Sequence, residues 1–267
     1  MSRGFSRQPL ALMVFLATCA WLLGACATMP GGPVAGLAPG GAQVVERLEA
    51  RRQAARSFSM QGEIQGQNPA GELNGEQRIM GRYPDRLRAE VMGPFGRPAL
   101  LLLCDGTRMA VLAYGENKAY QGPASRANVA RFLGLSLTPA EVYALLSGSV
   151  PLIAPQEARV LGSSQAGRAV LQMKNADNLE QGLIFSLDDY TVFESWVSDR
   201  AGGNSLSARF EAFSNLAGGR YPRRIRLSDQ EGRSLVLDSD QLAINPSLDD
   251  KLFEPTLPPG VEVIPLP

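Results

Sequence analysis

A chain of 267 residues with 26 basic and 26 acidic side chains carries no net formal charge, and it contains no histidine. The balanced charge gives no support for a nucleic-acid partner. The lack of His removes Ser-His-Asp and Cys-His catalysis, His metal sites and His proton shuttling near neutral pH. With 45% hydrophobic and 19% charged residues, the chain has the make-up of a globular protein able to bury a core.

The chain opens on an address. Arg3 and Arg7 form a positive start, and Leu10 to Leu23 is an apolar run too short, and too soon followed by Pro and Gly, for a spanning helix. It ends in Leu23-Gly24-Ala25-Cys26, which resembles the lipobox of bacterial lipoprotein signal peptides. The resemblance implies a signal peptide over residues 1–25, a lipidated Cys26 acylated at its new amino terminus, and membrane anchoring through those chains. Ala27 stands where an Asp would retain such a lipoprotein at the inner membrane. The same resemblance therefore implies the outer membrane of a Gram-negative envelope, facing the periplasm. Cys19 leaves with the signal and Cys26 carries lipid, so Cys104 is the only thiol left and no internal disulfide can form. In Leu100-Leu101-Leu102-Leu103-Cys104 it reads as a small buried hydrophobe rather than a reactive thiol.

Residues 26–41 are rich in Gly, Pro and Ala and read as a flexible tether. Ala42 to Ser57 follows as a charged helix with Val44, Val45, Leu48 and Ala55 on one stripe. It either packs on the edge or mouth of the domain or stands exposed as a linker. From Phe58 onward short alternating segments are separated by Gly, Pro, Asn and Asp. They predict about ten to twelve antiparallel strands, joined mostly as hairpins and numerous enough to curl. No repeat and no second domain is visible, so residues 42–267 read as one domain.

One interior stretch is helical instead, within an insert over residues 124–150. Val129, Phe132 and Leu133 share one face, and Val142, Leu145 and Leu146 share another. Thr138-Pro139-Ala140-Glu141 has the form of a capping box with Pro at the first helical position, and Gly148 marks the end. Two short amphipathic helices in an all-β chain must lay their apolar faces on the sheet. That face either completes a solid core or covers a cavity.

The order of lipobox, tether, charged helix, the strand FSMQGEI, PDRLRAEVMGPFGRPALLLLCDG and FLGLSLTPAEVYALLSGSVP resembles the LolB outer-membrane lipoprotein receptor and LolA/LolB-like domains. The resemblance spans Cys26 to Pro151 by motif and the rest by strand pattern. It implies a mainly β fold: a curved, incomplete antiparallel barrel with a short helical lid and an N-terminal helix. It also implies an apolar space that takes acyl chains of a lipoprotein or phospholipid. In the receptor a protruding apolar loop residue helps place cargo in the membrane, and Phe95 is the matching position. Phe95, flanked by Gly93-Pro94 and Gly96-Arg97-Pro98, is either such a membrane contact or an ordinary core residue. The Pro-rich tail after Ile244 is more like the soluble carrier LolA, and reads as a strap that blunts a sheet edge.

Candidates for the cavity lining are Met60, Ile64, Leu87, Val91, Leu101, Leu103, Val111, Phe185, Trp196 and Phe210 from the sheet. Val129, Phe132, Val142, Leu145 and Leu146 are those from the lid. The carboxylate pairs Asp188-Asp189, Asp238 with Asp240, and Asp249-Asp250 sit in or beside turns, where Asp serves backbone hydrogen bonds. No catalytic residue, metal site or cofactor is therefore expected. The reading that follows is a monomeric lipid-anchored protein that binds acylated cargo, receives it from a LolA-type periplasmic carrier and helps localise it. A lipid or lipoprotein sensor, or a structural module of the same fold, is the alternative.

Overall fold

The computed structural model describes residues 39–68, 71–198 and 204–267; the expected signal peptide, Cys26 and nearly all of the expected tether lie outside them. Helix α1 (Gly41–Ala54) leads into strands β1 (Ser57–Asn68), β2 (Gly71–Arg82), β3 (Arg86–Met92), β4 (Pro98–Cys104), β5 (Arg108–Ala113) and β6 (Lys118–Pro123). Helices α2 (Arg126–Leu133) and α3 (Pro139–Leu146) come next. Then follow β7 (Glu157–Gly162), β8 (Arg168–Lys174), β9 (Glu180–Ser186), β10 (Val192–Ser198), β11 (Asn204–Leu216), β12 (Gly219–Ser228), β13 (Ser234–Ile244) and β14 (Glu262–Pro265).

All these strands form one curved sheet of 14 strands, in the order β14-β6-β5-β4-β3-β2-β1-β13-β12-β11-β10-β9-β8-β7. Its two end strands do not meet, so the barrel is incomplete. The strand number exceeds the ten to twelve expected from sequence, and the tail supplies one strand that the alternation did not reveal. Every ladder is antiparallel except β14 on β6. The long hairpin β1–β2 and the pairing of β1 with β13 join the two halves of the chain at the centre of the sheet.

Alternation decides which face is buried. On β2, Leu73, Ile79 and Gly81 point inward, while Glu72, Glu76 and Arg78 are exposed. On β13, Leu235, Leu237 and Ser239 are the buried positions, and a bulge near Asp240 shifts the parity so that Leu242 and Ile244 keep the same face. At Gly81 a Cβ would stand 2.3 Å from the Phe58 ring, so only glycine lets that ring lie flat on the strand.

The termini of the described chain brace this frame. Val44 and Leu48 of α1 are buried in the core and the helix lies on β7 and β8, which settles its packing in favour of a docked helix. After Ile244 the tail crosses the outer face of β2, β3 and β4. Arg82 bonds the Leu248 carbonyl and pairs with Asp250, and Arg88 donates to the Leu252 carbonyl at 3.3 Å. Phe253 is fully buried there, and β14 then closes the edge beside β6.

Candidate functional site: an apolar cavity under a helical lid

The lid is built as its sequence suggests. Thr138 accepts from the Glu141 N–H at 3.3 Å, and the Glu141 carboxylate accepts from the Thr138 N–H at 2.7 Å. Ser125 caps α2, and Gly134 ends it in the left-handed conformation with φ 78°. An ion pair of 2.7 Å between Arg126 and Glu141 ties the two helices together. Asn128 is buried and donates to the Pro123 carbonyl at 3.0 Å and the Pro267 carbonyl at 2.8 Å, which fixes α2 to the sheet edge. Tyr143 pins α3 from below: its hydroxyl donates to the Ala55 carbonyl at 2.6 Å, and its ring meets Phe58 and Tyr83. Burial holds the Tyr143 hydroxyl pKa well above its ordinary value, so it remains a donor.

Between lid and sheet lies a cavity of about 100 Å³. Its floor comes from Ile64 of β1, Leu73 and Ile79 of β2, and Leu87, Ala89 and Val91 of β3. Leu100, Leu102 and Cys104 of β4 and Met109 of β5 continue it, with Leu227, Leu235 and Leu237 from the far side. The roof is Val129, Phe132, Leu133, Pro139, Val142 and Leu146. Every one of these side chains is apolar. Cys104 is 2% exposed, and burial raises its thiol pKa to about 11, so it is an inert part of the wall.

The expected lining residues divide into two groups. Ile64, Leu87, Val91, Val129, Phe132, Val142 and Leu146 line the cavity. Met60, Val111, Leu145, Phe185 and Phe210 are buried in the core and do not line it. Leu101 and Leu103 point to the opposite face of β4, since Leu100, Leu102 and Cys104 are the lining positions of that strand. The tail's short helical turn at Asp250–Phe253 packs on that outer side. Trp196 also lies outside the cavity, with its ring over Gly182, where a Cβ would be 2.2 Å from the indole.

Phe95 is not a core residue. It is 99% exposed, at the tip of a turn closed by Gly93 N–H to the Arg97 carbonyl at 2.8 Å. Its backbone sits at φ 64° and ψ 25°, a region costly for a bulky side chain. The last β3–β4 pair before this turn is Met92 with Pro98, and the pair before it, Val91 with Leu100, lines the cavity. Tyr114, 43% exposed, belongs to the β5–β6 turn at the same end of the sheet, and its N–H reaches the Ala99 carbonyl at 3.1 Å. The cavity thus lies beside an exposed aromatic rim.

The acidic pairs serve the frame. Asp189 accepts from Arg220 twice at 2.8 Å and from Thr191, which holds its carboxyl far below the usual range. Arg51 of α1 reaches the carbonyls of Asp189 and Arg220 and lies over the Tyr221 ring. Asp238 pairs with Arg224, Asp249 caps the helical turn in the tail, and Asp250 pairs with Arg82 and Arg86. Among the described residues no group of acidic or Cys side chains could hold a metal ion, and no helix is long and apolar enough to cross a membrane.

No protein-family model matches the chain, and no curated protein matches it. Solved structures do. A LolA superfamily protein from Nitrosomonas europaea superposes with a TM-score of 0.54 at 17% identity, over 81% of this chain and 98% of that one. A candidate outer membrane lipoprotein-sorting domain from Vibrio parahaemolyticus gives 0.56 at 14% identity, over 80% and 95%. A DUF1329 family protein from Desulfovibrio piger gives 0.55 at 12% identity, over 81% and 98%. Likeness at such low identity is one of fold, and the fold of this chain is LolA/LolB-like.

Proposed function

We propose that this chain is an envelope lipoprotein that binds the acyl chains of lipoproteins or lipids and helps deliver them to the outer membrane, without catalysis. The observation that carries this reading is a wholly apolar cavity between a capped helical lid and a curved sheet. In this reading residues 1–25 are the signal peptide and residues 26–41 the tether. Cys26 carries the lipid anchor, and residues 42–267 form the binding domain. Several acyl chains, each contributing about 0.8 kcal/mol per buried CH₂, hold the protein at the membrane. The fold neighbours, one of them described as a lipoprotein-sorting domain, support an envelope role.

Size sets the mechanism. An apolar void of about 150 Å³ admits one benzene ring, so about 100 Å³ admits only a short piece of an acyl chain. Cargo entry therefore displaces α2 and α3 from the sheet, and closing them afterwards hides the exposed lining. Transfer runs downhill, from a carrier such as a LolA-type protein to this cavity and then to the bilayer. It needs no nucleotide, because only the difference in affinity drives it. Phe95 sits at the cavity's end of the molecule and places that end against the membrane. Burying a Phe side chain in lipid is worth about 1.5–3 kcal/mol, enough to bias orientation without anchoring by itself.

Release of an acylated protein from this chain into vesicles tests the reading. Phe95→Glu is expected to leave acyl binding intact and slow release roughly tenfold or more, as the loss of about that membrane term implies. Equal release by the variant and the parent would remove Phe95 from the mechanism.

A further inference from the structure

Strand β2 carries one large polar side chain on the face it turns toward the cavity. Gln77 lies in the inward alternation between Leu73 and Ile79, both of which line the cavity, and is itself sealed behind that apolar lining rather than part of it. Its cross-strand partners are Gly62 on β1 and Val91, another lining residue, on β3. Gln77 is 2% exposed, and neither its amide nitrogen nor its amide oxygen has a hydrogen-bond partner among the described residues. Buried polar groups are almost always satisfied, because leaving one unpaired forfeits its water without replacement. A Leu or Met at this position would pack behind the cavity wall more cheaply. The amide therefore asks for a partner from outside the fold.

The chemistry of the surroundings narrows what that partner is. Glu63, Glu76, Arg78 and Glu90 are on the opposite parity, toward the outer face. Across Gly62 the same row continues to Ser239 on β13, also buried. Beyond Ser239 comes Arg223, whose guanidinium donates to the carbonyls of Ser239 and Asp240 at 2.7 and 3.0 Å. It stands three strand spacings from Gln77, roughly 14 Å. Among the described residues of this row no free cation thus faces the amide, and an ionised headgroup there would be buried without a counter-charge. A neutral group that accepts a hydrogen bond fits instead.

We infer that, once cargo entry has parted the lid from the sheet, Gln77 is the polar contact of the lipid site and recognises the carbonyl of an acyl ester or amide. Its Nε2–H donates to the carbonyl oxygen, and Oε1 accepts an N–H where the group is an amide. The inference rests on the acyl-binding reading above. It adds that the site takes neutral acyl carbonyls in preference to plain hydrocarbon or to ionised fatty acid.

Competition against a fluorescent acyl probe on the full chain tests it, with hexadecane, methyl palmitate and ionised palmitate as competitors. The parent is expected to favour methyl palmitate over the other two. Gln77→Leu should weaken methyl palmitate about five- to tenfold, the size of one net hydrogen bond, and leave hexadecane unchanged or tighter. With a ¹³C-labelled ester, the carbonyl stretch should lie at lower frequency in the parent than in Gln77→Leu or Gln77→Met. If neither variant folds, the stretch in the parent, compared with the ester in alkane, decides alone. An ester-to-alkane ratio unaltered by the substitution, an unshifted stretch, or tighter binding of ionised palmitate would overturn the assignment. Should the parent take up none of the three, the acyl-binding reading fails first and Gln77 loses its role with it.

Discussion

One residue carries burdens that the frame alone does not require. Phe95 leaves a large apolar ring in water and holds its backbone in the left-handed region. A Phe95→Gly substitution removes both costs and is expected to raise stability by up to about 1 kcal/mol, read as a higher denaturation midpoint. A fall of that size would instead make the ring part of the structure. Tyr143 is the opposite case, with its hydroxyl bonded to a backbone carbonyl in the core and its ring among aromatics. Tyr143→Phe should cost about 1–2 kcal/mol, because the Ala55 carbonyl loses its buried donor. The loosened α3 should also admit an acyl probe faster. Unchanged stability and uptake would show that the bond does not hold the lid. Phe95 could be named from its Pro/Gly surroundings, though those surroundings did not fix its exposure. Gln77 could have been found by asking which polar residue shares the parity of Leu73 and Ile79.

Among the elements, the helices were the most legible because their signals are local. Thr138, Pro139 and Glu141 specify the start of α3 without help from the rest of the chain. Strand faces were harder. The four leucines from Leu100 to Leu103 have no alternation to read, since both faces of β4 are covered, by the cavity on one side and the tail on the other. Pairing of Leu87 with Cys104 and Val91 with Leu100 sets the face, and that is a long-range fact. Trp196 was misplaced by a bulge at Phe193. Val192 pairs with Phe185 on the inner face, but the extra residue turns Trp196 outward over Gly182. Strand β14 was hidden in a Pro-rich tail because parallel pairing on an edge needs no alternation of its own. Helix α1 is held to the second half of the sheet through Arg51 and the Asp189–Arg220 pair. The folded Asp189 pKa lies below its unfolded value of about 3.9, so its contribution to stability is full above that pH and fades as pH falls further. Asp189→Asn should therefore melt lower than the parent at pH 7, with the gap closing below about pH 4. A gap independent of pH would mean that the charge of Asp189 is not what holds this junction.

At the scale of the whole molecule, the open sheet, the strap across its outer face and the lid on its inner face leave an apolar space unfilled. A protein under selection for stability alone would close such a void, since cavities in cores are destabilising. Filling it from within separates binding from folding. Ala89 lies on the cavity floor between Ile79 of β2 and Leu102 of β4. Ala89→Leu adds apolar volume where the void is. The most direct test of the account is native mass spectrometry with lipid extraction on the full chain and this variant, each offered an acylated peptide. The account expects the parent to carry an acyl ligand and Ala89→Leu to carry much less at equal or higher melting temperature. A parent that takes up no acyl chain would contradict the account and leave the fold as a docking or structural module.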